Sequence, residues 1–492
     1  MSALETTAAR TGSLFIGGDL VPGAAGRYPV IDPASEELVG EAPQASPEQA
    51  REAAAAARAA WRSWSQTTPE RRAELLGRIA DLLITHNDEL VGLVQAETGA
   101  TARVAQTMQV PVAVDRFRRY AKEALDPVTV PLPPQPMPAT PLAPGGLIGA
   151  VAVRQPVGVV ACITPYNFPL VSLAGKVAPA LAMGNTVVVK PAPQDPLQIL
   201  LFAEIVAEAG VPPGVVNVVT GSAPSIGAAL VDSPDVDMIS FTGSTQVGQA
   251  IAAAAGRDMK RVLMELGGKG AAIVFDDADL DAAVGGIGST WSFHSGQICT
   301  APTRVLVQRG VRDALVDRLT AYAGACRVGD PRAAGTVVGP VISAAHRDRV
   351  EAMIEKGVAE GATLAVGGHR PASDTGFYVA PTLFTDVTPG MSIAREEFFA
   401  PVVVLMTFTD EDEAVEIAND SPFGLSDYVW TADTGRGYRV ARRLRSGSVG
   451  INTVQRNHET PFGGFRHSGV GRDCGTFAMH AYSELQSIVW SS

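Results

Sequence analysis

Cysteine is scarce: there are four in 492 residues, Cys162, Cys299, Cys326 and Cys474, and no two are close neighbours. That excludes a disulfide framework, and no CxxC or HxxxH spacing marks a zinc site. A reducing compartment, the cytoplasm, is the expectation. Basic residues are outnumbered, 39 against 51 acidic, for a net charge of −12. Such a surface gains nothing from counterion release, so neither nucleic acid nor an anionic membrane is an expected partner. Long apolar runs are missing too. Pro, Gly or polar residues break each one well before the roughly 20 residues of a membrane helix. The start, MSALETTAARTGSLFIGGDL, has no apolar stretch of the signal-peptide kind. There is no convincing internal repeat.

Glycine and proline, by contrast, are plentiful and spread throughout (50 and 35), in a chain that is 46% hydrophobic and 18% charged. The composition is that of a globular protein, and the length suggests two to four domains. Near the N-terminus, Ser46-Pro47-Glu48-Gln49 is a capping box with proline at the first helical position. Thr68-Pro69-Glu70 opens a second helix, whose Leu75, Leu76, Ile79, Leu82 and Leu83 share one face. Residues 126–147, DPVTVPLPPQPMPATPLAPGGL, are predicted to be extended and helix-free. They form either a linker or an excursion that pairs with another subunit.

From 150 to 275 apolar β-branched runs alternate with helical stretches: Val157–Ile163, Thr186–Val189, Val215–Val219, Met238–Phe241 and Ala271–Phe275. This predicts an α/β fold with a mostly parallel, doubly wound sheet, which binds ligands beyond the carboxyl ends of its strands. A second α/β block runs from about 300 to 460, with strands expected at Val305–Val307 and Val402–Thr407.

Four stretches carry chemistry. In MISFTGSTQVG an apolar run meets a small-residue turn and then a helix start, with Gly243 and Gly248 in it. A helix N-terminus suits a phosphate, but the GxGxxG spacing is lacking, so an ordinary βα turn is the competing reading. Lys190, just past an apolar strand, is either a solvated loop residue or a ribose or phosphate contact. In SFHSGQICTAPTR, Cys299 sits in a turn-prone segment and is open to several readings: core atom, metal ligand, disulfide half or nucleophile. A nucleophile needs helpers. Glu265 in MELGGKG, between apolar residues, suits a general base. Asn167 in TPYNFPL, held by two prolines, suits an oxyanion donor, worth about 3 kcal/mol. Spacing alone does not bring 167, 265 and 299 together.

Taken as a set, TPYNFPL, KPAPQ, FTGSTQVG, MELGGKG, SGQICTAPTR, REEFFAPV, SPFGLSDYVWT and PFGGFRHSGVGRD resemble the aldehyde dehydrogenase superfamily, over nearly the whole chain. The resemblance implies a Rossmann-type cofactor domain (1–125 and 148–263), an α/β catalytic domain (264–470) and a small β oligomerisation element (126–147 and 471–492). It implies that Cys299 attacks an aldehyde. Asn167 and the Cys299 N–H would form the oxyanion hole. The thiohemiacetal would give hydride to a nicotinamide, and Glu265 would activate water to hydrolyse the thioester. Cofactor contacts are implied at Ile163, Thr164, Pro165, Tyr166, Lys190, Gly227, Phe241, Thr242, Gly243, Ser244, Val247, Gly248, Leu266, Glu397 and Phe399. Glu397 would hold the nicotinamide ribose with Phe399 beside the ring, Ser244 the pyrophosphate and Lys190 the adenosine ribose. Phe168, Ile298 and Phe462 would line the aldehyde pocket, and no metal is required. Family members are dimers or tetramers, and the proline-rich excursion would pair with the C-terminal strand near Leu485–Trp490.

Four positions depart from the commonest family pattern: Tyr166 for Trp, His294 for Asn, Ala400 for Gly, and Pro193 where a Glu often holds the adenosine ribose. Without that carboxylate nothing repels a 2′-phosphate, so the expectation is NAD use with NADP tolerated. Arg456, His458 and Glu459 fall near the family's substrate mouth, where they either meet a polar aldehyde or face water. Two other readings compete. One is a dehydrogenase that passes its thioester to coenzyme A, which the intact Glu265 disfavours. The other is a dinucleotide-binding protein without turnover.

Overall fold

The computed structural model describes residues 12–371, 373 and 375–491. The beginning of the stretch read for a leader, residues 1–11, lies outside them. Two large sheets organise the chain. The first has eight strands, in the order Gly469–Val470, Arg261–Glu265, Met238–Thr242, Val159–Ile163, Thr186–Lys190, Val216–Val218, Leu14–Ile16, Asp19–Val21. Its five central strands are parallel, and antiparallel strands flank them on both sides. Four of the five strands expected between 150 and 275 lie in it; the fifth, Ala271–Val274, belongs instead to the second sheet. Val187, Val188 and Val189 are wholly buried, because helices cover both faces.

On one face lies the helix Pro47–Trp64, started by the capping box of Ser46 and Gln49. Its Ala50, Ala53, Ala54 and Ala57 pack in one cluster with Val159, Val188 and Ile239, the small side chains letting helix and sheet approach closely. On the other face, Leu75, Leu76, Ile79 and Leu83 of the helix Pro69–Thr85 join the largest apolar cluster with Val160, Val187 and Leu173.

The parallel part of this sheet begins at Val159–Ile163, runs outward through Thr186–Lys190 and Val216–Val218, then returns to the other side at Met238–Thr242. The order of winding therefore reverses between Val159–Ile163 and Met238–Thr242. A crevice opens at the carboxyl ends of strands where winding reverses.

The second sheet has seven strands: Thr363–Val366, Thr382–Thr385, Val402–Phe408, Arg304–Gln308, Ala271–Val274, Ser426–Trp430 and Ser448–Ile451. All pairs are parallel except the outermost, Thr363–Val366 on Thr382–Thr385. Glu265 ends a strand of one sheet and Ala271 begins a strand of the other. The carboxyl edge of the first sheet thus meets the amino edge of the second, and the short LGGKG link crosses between them.

A third sheet stands apart, made of Thr129–Met137, Gly146–Pro156 and Ser483–Ser491. The proline-rich stretch is extended, as expected, but it does not pair with the C-terminal strand. It pairs with Gly146–Pro156, which pairs in turn with Ser483–Ser491. Proline has no N–H to donate, so Pro131, Pro133, Pro134 and Pro136 confine their strand to an edge. The excursion therefore runs to Pro156, past the expected limit at 147. Among the described residues no helix is long and apolar enough to cross a membrane.

Candidate active site

Cys299 follows the helix Leu280–Ser292 and a turn in which His294, Ser295 and Gly296 take φ of 47°, 56° and 69°. Left-handed backbone at two non-glycine residues is costly and persists only when surroundings enforce it. Here the Ser295 hydroxyl donates to the Gly339 carbonyl at 2.8 Å, and the Gln297 side chain receives the Ile342 N–H at 3.0 Å. The Gln297 amide also donates to the His294 carbonyl at 3.2 Å. The half-buried Cys299 is free, as are the other three cysteines. Burial pushes its thiol up to about 12; the charges of Glu397 and Glu265 add to this and Arg456 opposes it.

Asn167 begins from the other sheet, in the loop beyond Val159–Ile163. Its side-chain amide donates to the Gln297 carbonyl, two residues before Cys299, at 2.8 Å. Its own carbonyl receives the Gln109 side chain at 3.1 Å. Glu265 is 4% exposed, and among the described residues neither of its carboxyl oxygens has a hydrogen-bond partner. Its pKa is raised well above the carboxylate range by burial and by Asp473, against Lys176, Arg472 and Arg456. The Gly267–Gly268 step explains the double glycine: a Cβ at Gly268 would collide with the Cys299 carbonyl, and one at Gly267 with the Glu397 carboxylate. Glu397 accepts the Gly268 N–H at 2.9 Å, and burial raises it to about 7. Residues 167, 265, 299 and 397 therefore surround one site.

The cofactor candidates gather at the winding reversal. Ile163 and Thr164 leave one strand, Phe241 and Thr242 end its neighbour, and the Thr164 hydroxyl is buried without a partner. Ser244 caps the helix Thr245–Arg257, accepting the Val247 N–H at 3.4 Å. That N-terminus offers free N–H groups to an anion. The Gly243 N–H donates to the Glu265 carbonyl at 3.0 Å, tying the turn to the base candidate, and Gly248 packs on Leu266. Lys190 is no solvated loop residue. It is buried, donates to the Pro191 and Gly221 carbonyls at 3.1 and 3.3 Å, and runs beside Gly227. Burial lowers its amine to about 8. Tyr166, after Pro165, meets Phe399 edge-on at 6.0 Å between ring centroids. A phosphate-ready helix start, an orphaned hydroxyl and a carboxylate at the glycine step together fit a dinucleotide.

On the pocket side, Phe168 packs on Phe293 and on the His294 ring, at 6.4 and 5.4 Å. His294 is buried and lowered to about 4, so it stays neutral and adds no positive charge near the thiol. Phe462 is half-buried under the Arg456 guanidinium, 3.9 Å from the ring centroid, and Ile298 is half-exposed beside Cys299.

Several contributors had no signal in the sequence. Gln109 sits in a π-helical turn, Ala105–Gln109. Lys176, 1% exposed, donates to the Ser240 hydroxyl at 3.1 Å and feels both Glu265 and Asp473. Arg349 donates to the Glu397 and Phe398 carbonyls, and the His346 ring lies 2.8 Å from the Phe399 carbonyl oxygen. They brace the loop that carries Glu397.

A reversed-winding sheet whose crevice opens onto half-buried Cys299 with buried Glu265 and Asn167 fits the class of nucleotide-dependent oxidoreductases. The family model for the aldehyde dehydrogenase family matches residues 20–488. Geranial dehydrogenase of Castellaniella defragrans is 42% identical over 478 residues, 96% of this chain and 98% of that one. Betaine aldehyde dehydrogenase of Brucella canis is 40% identical over 494 residues, covering 97% and 96% of the two chains. Among solved structures, betaine aldehyde dehydrogenase of Staphylococcus aureus in complex with NAD+ superposes with a TM-score of 0.94 at 33% identity, covering 100% of this chain and 98% of that one. The NAD-dependent aldehyde dehydrogenase of Sinorhizobium meliloti gives 0.92 at 37%, covering 98% and 96%. The chain belongs to the aldehyde dehydrogenase family, NAD-dependent oxidoreductases that act on aldehydes.

Proposed function

We propose that Cys299 is the nucleophile, Asn167 the oxyanion donor and Glu265 the base in the oxidation of an aldehyde to a carboxylic acid. The observation that carries this reading is Glu265: a buried carboxyl with no hydrogen-bond partner, within electrostatic range of Cys299. Only a small fraction of a buried thiol of high pKa is ionised at neutral pH, and it is this thiolate, its proton released to solvent, whose sulfur attacks the carbonyl carbon. Asn167 and the Cys299 N–H hold the oxygen as negative charge grows on it. NAD, when bound, supplies the hydride acceptor. The resulting thioester is attacked by water that Glu265 deprotonates, and Lys176 and Asp473 lie beyond Glu265 as the next titratable groups.

The cofactor side of the reading assigns the pyrophosphate to Ser244 and the N-terminus of Thr245–Arg257, the nicotinamide ribose to Glu397, and the adenosine ribose to Lys190. Pro193 leaves the ribose without a carboxylate partner, so NADP is accepted beside NAD. Residues 1–125 and 157–263 form the cofactor domain, 264–470 the catalytic domain, and the three-stranded sheet joins copies into a dimer or tetramer in the cytoplasm. The test is to mix the purified protein with NAD and a panel of aldehydes and follow absorbance of reduced cofactor. Formation of the acid in step with reduced cofactor supports the reading, and no turnover with any aldehyde overturns it.

A further inference from the structure

Two arginines that the proposed chemistry does not use converge on Cys474, beside Phe462, which the reading above places on the aldehyde side. Arg456 lies over the Phe462 ring, and its Nη2 stands 3.9 Å from the Cys474 Sγ. From the other side, Arg116 places its Nη2 3.4 Å from the same sulfur. Arg116 comes from the helix Val110–Glu123 and is anchored by donation to the Val171 carbonyl at 2.7 Å, three residues from Phe168. Room for it comes from Gly175: a Cβ there would collide with its guanidinium. Glycine inside the helix Pro169–Ala182 is unfavourable, and here it makes space for a charge.

Among the described residues no carboxylate lies within ion-pair distance of either guanidinium. Two acids are near. Glu459 is engaged by Arg119, through both of its oxygens, and Arg119 also pairs with Glu123. Asp473 is buried, accepts the Cys474 N–H at 2.8 Å, and acts on Arg116 from beyond contact distance. This cluster therefore holds two cations whose hydrogen-bonding capacity is largely unspent. The charge of Arg456 reaches inward, since it favours the ionised forms of Cys299 and Glu265.

We propose that Arg456 and Arg116 form an anion subsite that selects aldehydes carrying a carboxylate at the far end of the chain, that is, ω-oxo acids. A planar guanidinium matches a carboxylate bidentately, and stacking on Phe462 removes much of the freedom that Arg456 would otherwise lose on binding. The same charges disfavour a cationic aldehyde. This inference rests on the aldehyde-oxidising function proposed above.

The test compares kcat/KM for three aldehydes of matched length: an alkanal, the ω-oxo acid and a trimethylammonium aldehyde. In the wild type the oxo acid leads the alkanal at least tenfold and the cationic aldehyde comes last. In Arg456→Gln the ratio of oxo acid to alkanal falls at least tenfold, carried by KM for the oxo acid, and Arg456→Lys restores part of it. A dicarboxylate of the same length competes with alkanal oxidation in the wild type, and its inhibition constant rises at least tenfold in the variant. An equal fall for oxo acid and alkanal in the variant, or a wild type that prefers the alkanal or the cation, overturns the subsite and leaves aldehyde oxidation standing. No oxidation of any of the three, nor of any aldehyde in a wider panel, overturns both.

Discussion

The Asn167 side-chain amide donates to the Gln297 carbonyl at 2.8 Å, so the turn after one sheet is tied to the segment that carries Cys299 from the other. One N–H of the amide is used in this bond, which orients the second. A donor held in place before charge develops costs no reorganisation during reaction. Asn167→Ala is expected to lower kcat by about 100- to 1,000-fold, the usual loss for one oxyanion donor. Dissociation constants for NAD, read by fluorescence titration, are expected to stay within about threefold. A small loss in kcat would remove Asn167 from the proposed role.

Glu265 is a buried acid whose folded pKa is raised, so two pH effects follow. Turnover needs the ionised form, so kcat rises with pH through a value above the ordinary carboxylate range. Stability runs the opposite way. The folded state holds this proton more tightly than the unfolded chain, so stability falls as pH rises above the ordinary carboxylate range. Glu265→Gln is expected to remove both slopes. It should also give a burst of reduced cofactor followed by slow turnover, because the thioester forms but water is not activated. Rapid mixing would show it, and wild-type steady-state behaviour would count against the base role.

Much of this architecture is legible in the chain itself. The strands at Val159, Thr186, Met238 and Ala271 are continuous apolar runs because parallel strands are covered on both faces, and such runs stand out. Ser46 and Gln49 announce a helix through local hydrogen bonds alone. The site was legible only in pieces. Cys299 and Asn167 lie in separate loops and Glu265 ends a strand, and what joins them is the meeting of two sheet edges, a property of topology. Gln109, Lys176 and Arg349 gave no signal, since each acts through a backbone or buried contact far away in sequence. The proline-rich stretch was correctly extended, but its partner strand was misjudged. The intervening Gly146–Pro156 is glycine-flanked and lacks strict polar alternation, so it carried no separate signal.

Lys190 offers a charge that titrates near working pH, since burial lowers it to about 8. Below that value the ammonium can meet a 2′-phosphate; above it the amine is neutral and the attraction is lost. KM for NADP is therefore expected to climb as pH passes about 8, while KM for NAD shows no matching rise. Lys190→Met should abolish the difference. Parallel profiles for the two cofactors would refute this account of NADP use.

Among the described residues the strand Ser483–Ser491 pairs along one edge only, with Gly146–Pro156. Its Leu485 and Val489 are each 62% exposed, and they share one face because they lie an even number of residues apart. A long apolar edge of this kind is a template for pairing, and proteins leave it uncovered only at a cost in solubility. The opposite edge of the same sheet is already blunted by prolines, so association should run through the C-terminal strand. The double variant Leu485→Glu, Val489→Glu places two like charges on that face. Light scattering after gel filtration is expected to give a multiple of the one-chain mass for the wild type and a smaller species for the variant. An unchanged mass in a variant with an unaltered circular dichroism spectrum would place the contact between copies elsewhere.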